Sequence, residues 1–193
     1  MKRLGLKYMI IGFLFILLDI HILIDVLPDP VGYILIGSGI VKLAAGQPNA
    51  KKAEITAYIM MVLSIPTFFL SGEVLQQMQN ESIGWQSYGF ADSIVHLILV
   101  YFIFGMLLTE VEYVLHAELL RGRVRKMMII YMSIGLSTAF LQPFLLNIDE
   151  NIALVLGIGI IVLSLIAQLA FLVHLRGLQK TFPSANTDQG SIT

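Results

Sequence analysis

Six long apolar runs dominate the chain, set apart by short polar segments, at about residues 8–27, 31–45, 56–74, 91–109, 127–146 and 152–173. A helix crossing the hydrocarbon core of a bilayer needs roughly 20 apolar residues at 1.5 Å each. The runs are continuous rather than alternating, which excludes the strands of a transmembrane barrel, so backbone hydrogen bonds must close within helices. The pattern predicts an all-α fold: a polytopic bundle of six transmembrane helices in a single domain over residues 1–180. Residues 181–193 are polar, carry Pro183 and Gly190, lack periodicity, and read as a flexible tail.

Composition leaves no room for a separate soluble domain, because 57% of the 193 residues are hydrophobic and only 13% are charged. The mean hydropathy of +0.84 says the same. Charge then sets the orientation. Lys2, Arg3 and Lys7 precede the first run, and Lys42, Lys51 and Lys52 flank the turn after the second. Arg121, Arg123, Arg125 and Lys126 fill the connection between the fourth and fifth runs, and Arg176 and Lys180 follow the sixth. With six spans every cation falls on one side, opposite Asp25, Asp29, Glu73, Glu81, Asp92, Asp149 and Glu150. The positive-inside rule therefore places both termini in the cytoplasm of a multi-pass cell-membrane protein. The start resembles a signal peptide, but Asp19, His21 and Asp25 interrupt its apolar run and no small-residue processing site follows, so it reads as an uncleaved first span.

Candidate chemistry is sparse. Asp19 falls near the middle of the first run, where a carboxylate costs roughly 2.5–3.5 kcal/mol and is expected to face the bundle interior. It reads either as a proton or cation site or as a structural hydrogen-bond partner for Ser38, Ser64, Thr67, Ser137 or Ser164 at similar depth. His21/Asp25 and Asp92/His96 are each spaced i, i+4, so each pair shares a helix face, and antiparallel threading brings both pairs to the outer third of the membrane. Asp19, His21, Asp25 and His96 thus form a candidate substrate or proton site. His21, Asp25, Asp92 and His96 are candidate ligands for a divalent cation such as Zn²⁺ or Mn²⁺, while the blander reading lets each histidine bond its own aspartate. No cofactor is otherwise implied.

The segment between the first two runs has a mechanical account. Pro28 and Pro30 break the helix, Asp29 suits an N-cap with Pro30 at the first helical position, and Gly32, Gly37 and Gly39 permit close helix approach. A short, Pro/Gly-interrupted second span also fits the broken helices of transporters. The same run, with Asp25, Leu27, Pro28, Asp29, Gly32, Tyr33, Leu35 and Ile36, resembles the first hairpin of small uncharacterised integral membrane proteins of Gram-positive bacteria. The resemblance covers about a dozen residues and implies a bacterial cytoplasmic membrane, with no mechanism attached.

Glu110, Glu112, His116 and Glu118 continue the fourth run and read as a solvated surface. The Arg121–Lys126 group can hold anionic headgroups, although topology alone explains it. Gly157, Gly159, Ser164 and Gln168 suit helix packing. A nucleotide loop, a catalytic Ser/His/Asp arrangement and a His-Glu-x-x-His zinc helix are all missing, which argues against an energy-coupled pump or a soluble-type hydrolase, and nothing calls for nucleic acid. Three functions stay open: a small transporter or channel-like protein with a polar site around Asp19; a scaffold, regulator or immunity-type protein that binds another membrane protein or itself; and a metal-dependent enzyme at the outer face. The lipid bilayer is the one partner common to all three.

Overall fold

A computed structural model describes residues 1–19, 29–70, 82–114, 117–145 and 148–182. Among the described residues the chain forms six α-helices: α1 (Lys2–Asp19), α2 (Asp29–Ala44), α3 (Pro48–Phe68), α4 (Ile83–Glu110), α5 (Ala117–Leu145) and α6 (Glu150–Thr181). A 3-10 turn, Val111–Tyr113, follows α4. The helices outrun the apolar segments, because a helix continues into polar flanks as long as its backbone bonds are met. Thus α4 begins at Ile83, taking in Trp85 and Tyr88, and α5 begins at Ala117, so that Arg121, Arg123, Arg125 and Lys126 lie inside a helix rather than in a connection.

Each helix packs on the next in sequence, and α6 returns to α1, so the bundle closes into a ring. The broadest contact is between α1 and α2, and glycine explains it. A Cβ added at Gly39 would sit 2.6 Å from the Gly5 carbonyl oxygen, and one at Gly32 would sit 2.9 Å from that of Gly12. The two pairs recur seven residues apart on each helix and run antiparallel, letting the backbones touch. Gly37 meets the Tyr58 ring at 3.6 Å and the Ala57 methyl at 3.8 Å, both ordinary contacts. Gly46, at φ +90°, occupies the left-handed conformation that ends α2 and starts the turn into α3.

One end of the ring is tied by polar contacts. Lys2 at the start of α1 pairs with Glu110 at the end of α4, and Gln47 in the α2–α3 turn donates to the same carboxylate. Gln179 near the end of α6 donates to the Arg3 carbonyl at 3.2 Å, and Arg121 of α5 pairs with Glu112 at 3.0 Å. Glu110 is only 4% exposed, so it is not the solvated acid expected of its position. These contacts gather the starts of α1, α3 and α5 and the ends of α2, α4 and α6, and with them the cation-bearing segments, at one end.

Among the described residues three helices are long and apolar enough to cross a membrane: α4 with its 3-10 turn (Ile83–Tyr113), α5 (Ala117–Leu145) and α6 (Asn151–Thr181). Their outer faces are apolar, with Val155 and Phe140 each 69% exposed, as lipid contact would require. The 16 residues of α2 rise roughly 24 Å, short of a hydrocarbon core of about 30 Å. The buried positions of α6 run from Ala167 to Leu178, with none from 152 to 166. Gly157 and Gly159 accordingly meet open space, and Ser164 is exposed, so these three do not serve packing within the ring.

Candidate functional site

Helical periodicity sets four polar side chains into the buried stripes of four helices. Tyr33 lies on α2 in line with Ile36 and Ile40, and His96 on α4 in line with Leu99, Val100 and Ile103. On α5 Tyr131 follows Val124 by two turns, and on α6 Gln168 shares its stripe with Phe171, Leu172 and Leu175. Tyr33, Tyr131 and Gln168 are buried. A buried polar group without a partner costs a few kcal/mol, and these four meet one another.

The hydroxyl of Tyr33 lies 3.3 Å from His96 Nδ1, and His96 Nε2 lies 3.4 Å from the Tyr131 oxygen. Tyr131 in turn donates to Gln168 Oε1 at 2.6 Å. The last bond orders the rest. With the Tyr131 proton committed to Gln168, its oxygen can only accept, so His96 Nε2 carries a proton and donates to it. A neutral imidazole then accepts from the Tyr33 hydroxyl at Nδ1. The result is a directional chain, Tyr33 to His96 to Tyr131 to Gln168, across α2, α4, α5 and α6.

Aromatic rings line it. Phe13 of α1 meets His96 edge-on at 6.4 Å, and Tyr131 packs on Phe171 at 5.4 Å and Phe104 at 6.2 Å. Phe171 also touches Phe13 and Phe104, each at 5.1 Å. Five of the six helices therefore contribute to one polar-aromatic centre. Because Gln168 ends the chain with an amide oxygen, which is a poor base, protons cannot run along it from end to end. The chain orients His96, and chemistry is confined to its Tyr33 side. There Asp29 and Asp92 lie near enough to act electrostatically on Tyr33.

Asp92 stands one turn before His96, yet the two ring nitrogens of His96 face tyrosines, so the histidine does not bond its own aspartate as the simplest reading of the pair expected. His21, Asp25 and Pro28 lie outside the described residues, as does the side chain of Asp19, the last residue of α1. Among the described residues no three of His, Cys, Asp or Glu converge as metal ligands. Of the hydroxyls proposed as partners for Asp19, Ser64 and Thr67 donate to carbonyls of their own helix, and Ser137 and Ser164 are exposed. Asp29 and Pro30 open α2. Tyr131 escaped sequence reasoning altogether, and Gln168 was read only for packing. A polar residue centred in an apolar run was the available signal for Gln168.

Fold and site together define an all-α bundle with three helices suited to crossing a membrane and a polar chain at its centre. Comparison of the chain with protein-family models, curated proteins and solved structures gives no match.

Proposed function

We propose that this chain is a six-span protein of a bacterial cytoplasmic membrane, both termini cytoplasmic, of the small transporter or channel type, with its polar site at His96. The observation that carries the reading is His96, an ionisable group inside the bundle held at both ring nitrogens by Tyr33 and Tyr131, since groups this costly to bury in a bilayer mark substrate or ion sites. His96 Nδ1 is the atom at which a proton or cation is exchanged. Tyr33 covers it, Asp92 supplies negative charge one turn away, and Asp19 closes the end of α1. A divalent metal at His96 would have to displace one of the two tyrosines, with His21, Asp25 and Asp92 as its other ligands.

Binding of another membrane protein is the second reading, and its support moves. Gly32 and Gly39 are consumed by the chain's own hairpin, whereas Gly157 and Gly159 remain open for a partner. Proteoliposomes loaded with a pH-sensitive dye test the first reading. Under an imposed potential the wild type is expected to take up protons and His96→Gln to lose that uptake while keeping its fold. Wild-type vesicles as tight as empty ones would overturn proton coupling at His96.

A further inference from the structure

Two inward stripes face each other across the ring. On α1, Lys2, Leu6, Met9 and Phe13 recur at steps of four, three and four, and on α4, His96, Ile103, Leu107 and Glu110 recur at steps of seven, four and three, so each set keeps to one helix face. Leu6, Met9, Phe13, Ile103 and Leu107 are fully buried. Helix α1 packs on α2 and α6, and α4 on α3 and α5, so in a ring of six these two helices stand opposite one another rather than side by side. They are nevertheless joined at two levels. Phe13 meets His96 edge-on at 6.4 Å, and roughly 21 Å further along α4, at the cationic end, Lys2 pairs with Glu110. The ion pair therefore crosses the interior of the bundle instead of stapling neighbours. Gln47 of the α2–α3 turn joins it by donating to Glu110, and the Tyr113 ring lies 5.8 Å from Lys2 Nζ.

We propose that Lys2, Glu110 and Gln47 form an inner gate that shuts the cationic end of the bundle beyond His96. The proposal rests on the transport reading for what the gate controls. A path through the interior from His96 to that end runs between the two stripes, where Leu6, Met9, Ile103 and Leu107 offer no polar group, and the ion pair is the last closure before water. The pair is built to move on one side. The Glu110 side chain is 5% exposed and held by Gln47, whereas that of Lys2 is 45% exposed, so the lysine is the bar and the carboxylate its socket. A buried carboxylate stripped of its cation is costly, which keeps the gate shut at rest. Arg121 and Glu112 form the other ion pair at this end, but both are exposed and lie on elements adjoining in the ring, so they bar nothing.

Single cysteines in the otherwise cysteine-free full chain, purified in detergent and treated with a water-soluble maleimide, read the gate. Leu107→Cys lies one turn inside Glu110, and Ala57→Cys lies where α3 meets Gly37 of α2, away from the gate; both positions are fully buried. With the ion pair intact both are expected to react slowly. Lys2→Ala/Glu110→Gln removes the two charges together, so that neither is stranded, and is expected to speed reaction at Leu107→Cys about tenfold while leaving Ala57→Cys slow. Arg121→Ala/Glu112→Gln removes the neighbouring pair and is expected to change neither rate. Unchanged labelling at Leu107→Cys, equal acceleration at both cysteines, or the same acceleration on removing the Arg121 pair would each overturn the gate. Failure of the transport reading would appear separately, as wild-type proteoliposomes no leakier than empty ones whatever the labelling rates.

Discussion

Tyr131 is the residue on which the central chain turns, because it accepts from His96 and donates to Gln168 at once. Removing its hydroxyl strands both neighbours. Tyr131→Phe is expected to cost about 1–2 kcal/mol, more than a typical interhelical bond in a membrane and within the range for stranded buried partners. Thermal unfolding in detergent measures it, and combining Tyr131→Phe with Gln168→Leu should cost less than the two single losses added. Additive losses would mean the two side chains do not communicate. Of this arrangement His96 was legible in the sequence, as an ionisable group inside an apolar run, but its partners were not. Its spacing from Asp92 pointed along the helix, while its nitrogens point across the bundle, and contact between distant helices leaves no mark at short range. Asp19 stood out for the same reason as His96, its cost of burial, and that cost names no partner.

At the scale of elements, glycine separates into two uses. In the α1–α2 hairpin, Gly5 with Gly39 and Gly12 with Gly32 bring backbones into contact; Gly32 and Gly39 were legible as packing glycines, while their partners on α1 were not. Gly39→Ala places a methyl group against a carbonyl oxygen and is expected to destabilise the fold by about 1–3 kcal/mol. Gly157→Ala, in open space, is expected to leave stability unchanged or slightly raised. Equal melting temperatures for the two variants would contradict the hairpin packing. Element number and order were legible because a run of apolar residues near 20 has few other uses. Element ends were less so: hydropathy stops at the first charges, whereas α5 carries four cations within its opening turns.

For the whole molecule, the described helices close into a ring with each neighbour antiparallel, and the ion pair of Lys2 with buried Glu110 ties its first helix to its fourth. The charge asymmetry read from sequence and the polar ties read from structure agree on which helix ends belong together. Ring closure itself, α6 against α1, was not legible, since it depends on contacts between residues far apart in sequence, such as the Gln179 amide on the Arg3 carbonyl 176 residues away. The account's central claim is that six helices cross the membrane with the cationic end inside. The chain contains no cysteine, so single cysteines placed at Lys51 and Gly122, at the cationic end, and at Ile83 and Asp149, at the other, can be labelled in intact cells with a membrane-impermeant maleimide. The account predicts that Ile83→Cys and Asp149→Cys react at once, whereas Lys51→Cys and Gly122→Cys react only after permeabilisation; reaction of one member of either pair on the side opposite its partner would contradict it.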